Sequence, residues 1–476
     1  MTHAATLPPV VLIAPTPIRA NMLGPGLRYW QFACELAKRQ RVTLLCPNAD
    51  FPSPTGFTIA HYERPGVLDA ALASHAVAVV QGYALAFWPT LREAITRTKP
   101  YLAVDIYTPL NLEGLESRHG DTSPLSLELN RTDLSALMDQ LALGDYFFCA
   151  SERQRHYYLG MLAAASRLNP HVHADDHLFR RLIDVVSFGL PSEPPQPSAR
   201  GPVLKGVHPH IGVDDKVILW FGGMWNWLDP VGVIQAFAQV ASKRPDARLV
   251  IVTQPPADLD ESVARAYMEA RQASQATGLE GQSILWLDPV PFAQRGALLL
   301  EADIGVSFHR PSVETTFAFR TRLLDFIWAG LPIVAADGDV LGDEVGLRGL
   351  GCTVAAGDVS QLRDALLAVL AEPDARGERA QTFAEARRQF EWARVMQPLS
   401  AYCAAPWRAA GRDVPFYQTQ DPWSIEVERE LYKRELAHAQ AEIASLRELV
   451  QRYESGRVMT LMRKLHGLRS KTQDNP

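Results

Sequence analysis

The chain has 476 residues, too many for a single ordinary core, so at least two globular domains are expected. Its 47% hydrophobic and 21% charged composition excludes disordered, collagen-like and membrane-embedded classes. A formal net charge of -6, with a pI near 6.1, argues against a broad basic surface, so no nucleic-acid partner is expected.

Met1 to Pro17 carries no basic segment ahead of its short apolar run, and no later stretch has the apolar length to span a bilayer. The five cysteines (Cys34, Cys46, Cys149, Cys352, Cys403) are odd in number and set mostly among apolar neighbours. Reduced thiols and a cytoplasmic protein are the expectation.

Val10 to Ala14 is a continuous apolar run, which predicts a strand buried on both faces of a parallel sheet. A loop with Gly24-Pro25-Gly26 follows. Leu27, Trp30, Cys34 and Ala37 then recur at helical spacing ahead of a second apolar run, Val42 to Cys46, completing a βαβ unit. Further strands are predicted at Val77 to Val80, Leu102 to Ile106, Tyr146 to Ala150 and Ile183 to Val186, alternating with helices. Ser151 with Gln154 forms a capping-box pattern for the helix after the Tyr146 run.

Pro191 to Pro202 breaks the alternation and reads as an exposed interdomain linker. A second α/β series succeeds it, with strands at Val217 to Phe221, Leu249 to Val252, Ile284 to Leu287, Ile304 to Phe308, Leu331 to Ala335 and Cys352 to Ala355. Two doubly wound α/β domains are thus expected, over residues 8–195 and 200–410. A helical tail over 424–470 follows the break at Pro415 and Pro422. Its apolar positions Tyr432, Leu436, Ala439, Ile443, Leu446, Val450 and Tyr453 alternate four and three apart, a coiled-coil seam that suits self-association. Beyond it, Val458, Leu461, Leu465 and Leu468 share a stripe with Arg457, Arg463, Lys464, Arg469 and Lys471, a basic amphipathic pattern suited to peripheral contact with a membrane's inner face.

Three segments carry a family likeness: Met22 to Pro47 (MLGPGLRYWQFACELAKRQRVTLLCP), Trp220 to Pro230 (WFGGMWNWLDP) and Glu314 to Val334 (ETTFAFRTRLLDFIWAGLPIV). Over residues 8 to about 410 the chain resembles glycosyltransferase family 4, retaining nucleotide-sugar transferases of the GT-B fold, in which two Rossmann-like lobes face a cleft. The resemblance implies a nucleotide-sugar donor bound to the second lobe and a glycan or lipid-linked acceptor bound to the first, in polysaccharide or glycoconjugate synthesis, with no cofactor and no metal. It implies that Asp325, ahead of Ala329-Gly330-Leu331-Pro332, meets the nucleotide ribose, and that Glu314 stands in for the family's sugar-binding acid, whose place is taken by Phe317. The family's Gly-rich turn is present as Gly222-Gly223, but the Arg and Lys that follow it in the family are missing from Met224 to Asp229.

The chemistry suggests substitutes. A departing diphosphate gathers negative charge, so Arg320 and Arg322, at the start of the predicted Leu323 to Ala329 helix, are candidates to neutralise it. Glu314 and Asp325 can each accept two hydrogen bonds from hydroxyls. Trp225 and Trp227 offer faces for a base or sugar ring, or pack in the core. Asp229 lines the cleft or, more simply, caps the helix starting at Pro230. Asp105 is a strand-end acid facing the cleft, or a loop acid. Gly24 and Gly26 let backbone amides approach a phosphate or acceptor, with Arg28 either an anion contact or a surface cation. Asp337-Gly338-Asp339 reads as a turn, not a metal motif. Two other functions stay open, a non-catalytic nucleotide-sugar-binding or scaffold protein and a nucleotide-sugar epimerase.

Overall fold

A computed structural model describes residues 7–20, 22, 24–253, 261–291, 294–412 and 425–456. Residues 1–414 pack as one unit and 415–476 form another. The first unit holds two all-parallel sheets. Seven strands form the first: β1 (Val10–Ile13), β2 (Val42–Cys46), β3 (Thr58–His61), β4 (Val77–Gln81), β5 (Tyr101–Asp105), β6 (Tyr146–Cys149) and β7 (Ile183–Val185), in the order β3-β2-β1-β4-β5-β6-β7. Six form the second: β8 (Lys216–Phe221), β9 (Ala247–Val252), β10 (Ile284–Leu287), β11 (Ile304–Ser307), β12 (Ile333–Ala336) and β13 (Gly351–Val354), in the order β10-β9-β8-β11-β12-β13. Helices alternate with the strands, so the apolar runs of β1, β4 and β6 are wholly buried.

Three local readings change. Gly24-Pro25-Gly26 is not a loop but the first turn of the Gly24–Ala37 helix, where proline's fixed φ and missing N–H are tolerated. The strand at Thr58–His61 was not anticipated, because this edge strand is only part-buried and carries no apolar run. Pro191 to Pro202 is largely exposed but anchored: the carbonyl of Glu193 accepts from Trp328 Nε1 at 2.7 Å, and Pro195 is buried against Gly296.

After the second sheet the chain returns to the first. Trp392 packs edge-on to Phe32, and Tyr402 stacks on Tyr146 with ring centroids 4.7 Å apart. The returning segment pairs with the outgoing linker: Leu190 N donates to Phe390 O at 2.6 Å and Trp392 N to Leu190 O at 3.1 Å. In the second unit, Ile425–Ser455 is one helix with an exposed apolar stripe. The basic stripe after Gly456 lies outside the described residues. No helix among the described residues is long and apolar enough to cross a membrane.

Candidate active site

Strands β8 and β11 are neighbours at the point where the order of the second sheet reverses, the place where an open α/β sheet leaves a crevice at its carboxyl ends. Gly222 leaves β8 with φ of +106°, a backbone state that an L side chain rarely adopts, and a Cβ there would meet nothing within 4 Å. Conformation alone therefore demands glycine. Gly222→Ala is expected to cost about 1–3 kcal/mol of strain, read as a lower urea midpoint, and an unchanged midpoint would refute the requirement.

Gly223 is followed by Trp225 and Trp227, whose rings stack at 5.5 Å with an 11° tilt. Trp225 is 49% exposed and offers an open face, whereas Trp227 beneath it is part-buried and packs against the core of the second lobe. Asn226 spans to the first lobe, donating to Ser117 O at 3.4 Å. Asp229 caps the Pro230–Lys243 helix by accepting from Gly232 N at 3.0 Å. Its carboxylate also lies 3.5 Å from Arg310 Nη2, so the capping role is occupied and the side chain is buried.

Arg322 begins the Arg322–Ala329 helix and turns back over β8. Its guanidinium carbon lies 4.4 Å from the centre of the Trp220 ring, and Nη2 donates to Gly223 O at 2.5 Å. Nη1 is buried and has no hydrogen-bond partner. No ion pair to Arg322 is found among the described residues. Burial first, and Arg320 second, push its pKa down to about 9, which leaves it charged at neutral pH. Asp339 is the one carboxylate that raises its pKa, and it acts through space without ion-pair contact, so the buried cation stays under-compensated and an anion arriving at the Gly222-Gly223 turn would relieve that cost.

Arg320 is committed differently. It forms a bidentate pair with Glu314, Nη1 to Oε1 at 2.9 Å and Nη2 to Oε2 at 2.5 Å, and both side chains are almost wholly buried. Glu314 lies on the short Val313–Phe317 helix, capped by Ser312. Facing this pair from the first lobe is Glu113, on the Leu110–Ser117 helix, a residue to which the sequence gives no motif. The residue as a whole is part-buried, and no hydrogen bond to its carboxyl is found among the described residues. Burial, reinforced by Glu314 and only partly offset by Arg320, raises its pKa to about 8. Among the described residues Glu314 alone is ion-paired with Arg320, and Glu113 feels both charges at longer range.

The sign of the resulting pH dependence follows. A carboxyl whose folded pKa lies above its unfolded value near 4.3 favours the fold at low pH and disfavours it as pH rises through about 8. Glu113→Gln is expected to melt with the wild type at pH 5 and a few degrees above it at pH 9, measured by thermal unfolding. Equal melting at both values would show that Glu113 stays solvated.

Asp325 does not join this group. Its Oδ1 accepts from Arg295 Nε at 3.1 Å, and burial raises its pKa while Arg295 lowers it. Oδ2 retains acceptor capacity. In the first lobe, Asp105 and Arg28 are neither cleft acid nor anion contact. They form a fully buried pair, Nε to Oδ2 at 2.8 Å and Nη2 to Oδ1 at 3.2 Å. Arg28 also donates to Ser187 O and Val186 O and lies against the rings of Phe32, Tyr107 and Phe148. Gly26 is buried against Thr16 and Pro17, where a Cβ would approach to 3.0 Å, so close packing uses it; Gly24 is exposed at the helix start.

The lobes meet through residues that sequence reasoning missed. Gln154, expected only as a capping partner, accepts from Ala150 N and donates through Nε2 to Phe317 O at 2.9 Å. Arg153 reaches Gly338 O at 2.8 Å and Asp343 at 2.5 Å. Tyr157 packs on Phe317 with ring centroids 4.9 Å apart. His309, fully buried after β11, lies 3.2 Å from Asp339 Oδ2. Asp339 Oδ1 accepts from Leu341 and Gly342 amides, so the Asp337-Gly338-Asp339 stretch is a helix-capping turn. No group of three metal-ligating side chains suited to an ion occurs among the described residues.

Residues 215–372 match the family model for glycosyl transferases group 1. No curated protein sequence matches the chain. Among solved structures, the fold is similar to a sucrose-phosphate synthase from Thermosynechococcus elongatus, with a TM-score of 0.58 at 13% identity over 83% of this chain and 98% of that one. It is similar to HepE of Anabaena in complex with UDP and glucose, with a TM-score of 0.59 at 14% identity over 84% and 100% of the two chains. It is also similar to the α,α-trehalose 6-phosphate synthase of Burkholderia multivorans, with a TM-score of 0.56 at 14% identity over 84% and 96%. At such identities the likeness establishes the two-lobed GT-B architecture.

Proposed function

We propose that this GT-B chain is a nucleotide-sugar-dependent glycosyltransferase, moving a hexosyl or related unit to a glycan or lipid-linked acceptor in cell-surface polysaccharide or glycoconjugate synthesis. The observation that carries the reading is Arg322: a buried, charged guanidinium with an unpartnered Nη1 beside the Gly222-Gly223 turn at the switch point of the donor-side sheet. A nucleoside diphosphate supplies the contacting anion that Nη1 lacks. UDP bound in the similar HepE structure makes uridine the first base to try.

In this proposal the bond from sugar C1 to the donor phosphate breaks as the acceptor hydroxyl bonds to C1 on the same face. The hydroxyl proton passes to the departing phosphate oxygen, and configuration is retained. Arg322 faces the growing phosphate charge without having to move, which is how a fixed group lowers the barrier. Arg320 adds to that field, held by Glu314. Free lone pairs on Glu314 and Asp325 accept sugar and ribose hydroxyls. Trp225 and Trp227 wall the site, and the Gln154 to Phe317 bond holds the lobes together so that water is kept from competing. Neither a metal nor a further cofactor enters the scheme, since guanidinium charge takes the place of a divalent ion. The five unpaired thiols support a reducing, cytoplasmic setting.

Thermal melts against a panel of nucleoside diphosphate sugars, followed by a radiolabel transfer assay on the best stabiliser, test the proposal. A ligand at one hundred times its Kd stabilises by about 2.7 kcal/mol. Stabilisation with transfer to an acceptor is the expected result. A panel that produces neither a shift nor transfer would overturn it, and a product formed without acceptor would identify an epimerase instead.

A further inference from the structure

We infer that the Ile425–Ser455 helix pairs with the same helix of a second copy as a parallel, in-register, two-stranded coiled coil. Along this helix Tyr432, Leu436, Ile443, Leu446, Val450 and Tyr453 are 49–71% exposed, an apolar stripe no globular helix leaves to water along its length. The four-three spacing puts Leu436, Ile443 and Val450 at one core position of the heptad, and Tyr432, Ala439, Leu446 and Tyr453 at the other. β-Branched Ile443 and Val450 at the first position, with Leu446 at the second, favour two strands over three or four.

Charge selects both the occupant and its direction. In a parallel pair Glu442 faces Arg447 of the second copy, and Glu435 faces the amide of Gln440. In the antiparallel register that engages the whole seam, with Leu436 opposite Leu446 and Ile443 opposite Ala439, Glu442 would oppose its own copy and Lys433 would oppose Arg447, two like-charge contacts. A second copy in parallel register is therefore the occupant whose chemistry fits. Three heptads form a weak pair, so association is expected at micromolar concentrations and steeply dependent on the seam.

The test uses the full chain in analytical ultracentrifugation. The wild type is expected to move from 52.7 kDa toward twice that mass over the micromolar range. The triple variant Leu436→Glu, Ile443→Glu, Val450→Glu should stay monomeric with an unchanged melting of the 1–414 unit. Glu442→Lys should raise the dissociation constant several-fold, and adding Arg447→Glu should restore it. Under oxidising conditions Leu446→Cys should cross-link to itself, with the wild type as control for its native thiols. Cross-linking only in a mixture of Leu446→Cys and Leu436→Cys would mean an antiparallel pair. A wild type that remains monomeric, including one that instead binds anionic phosphatidylglycerol vesicles through this helix, would overturn the inference.

Discussion

Replacing Arg322 by alanine is expected to lower kcat/KM for sugar transfer by about 10²–10³-fold, the usual loss when one fixed charge-stabilising donor is removed. The same variant should lose most of its thermal stabilisation by a nucleoside diphosphate. Its unliganded stability should move little. The guanidinium gives up a contact with Trp220 and a bond to Gly223 O, but its removal also relieves a buried positive charge that Asp339 offsets only at longer range, without ion-pair contact. A change within about 1 kcal/mol is therefore expected in urea denaturation. Lysine at this position should recover only part of the rate, being a point charge that cannot keep the fork contact to Gly223 O while reaching an anion. Full transfer by Arg322→Ala would remove the guanidinium from the mechanism. A large loss of unliganded stability would make it a structural residue instead.

The second large effect is expected at the Arg28–Asp105 pair, and it is an effect on folding. Asp105→Asn leaves the Arg28 charge buried among Phe32, Tyr107 and Phe148 with only two backbone carbonyls for company, and should cost about 3–5 kcal/mol. Arg28→Met is expected to be milder at low pH. It strands Asp105, but burial already pushes that carboxyl's pKa upward, so the acid can take a proton and become neutral. Its folded pKa then lies above its unfolded one, and stability is lost as pH rises toward that value. Urea midpoints at pH 5 and pH 8 should therefore diverge more for Arg28→Met than for the wild type, and less for Asp105→Asn, which removes the titrating carboxyl. If both variants unfold with the wild type, the pair is not the internal brace its burial indicates.

Much of the fold is legible in the sequence because parallel strands covered on both faces must be apolar throughout. Val10 to Ile13, Val77 to Val80 and Val217 to Phe221 announce themselves in this way. Thr58 to His61 does not, since an edge strand exposed on one side has no need of such a run. The site is less legible for a different reason. Arg322 meets Gly223 across 99 positions and Arg28 meets Asp105 across 77, and nothing in either local stretch says which charge finds a partner. Four side chains that look equivalent within Glu314 to Asp325 have three fates: a mutual pair for Glu314 and Arg320, a salt bridge to Arg295 for Asp325, and an open guanidinium for Arg322. Glu113 sits in Asn111-Leu112-Glu113-Gly114, a segment without any motif, and owes its raised pKa to burial first and to Glu314 of the other lobe second.

The main chain crosses between the lobes twice, and at Leu190 the outward and homeward passes are stitched to each other by backbone bonds with Phe390 and Trp392. Two tethers joined at one spot behave as a pivot pin: sliding one lobe past the other would tear the stitch, whereas swinging about it leaves the stitch intact. On the proposed function, opening the cleft means breaking the bonds of Arg153 and Gln154 to the second lobe while the stitch at Leu190 stays closed.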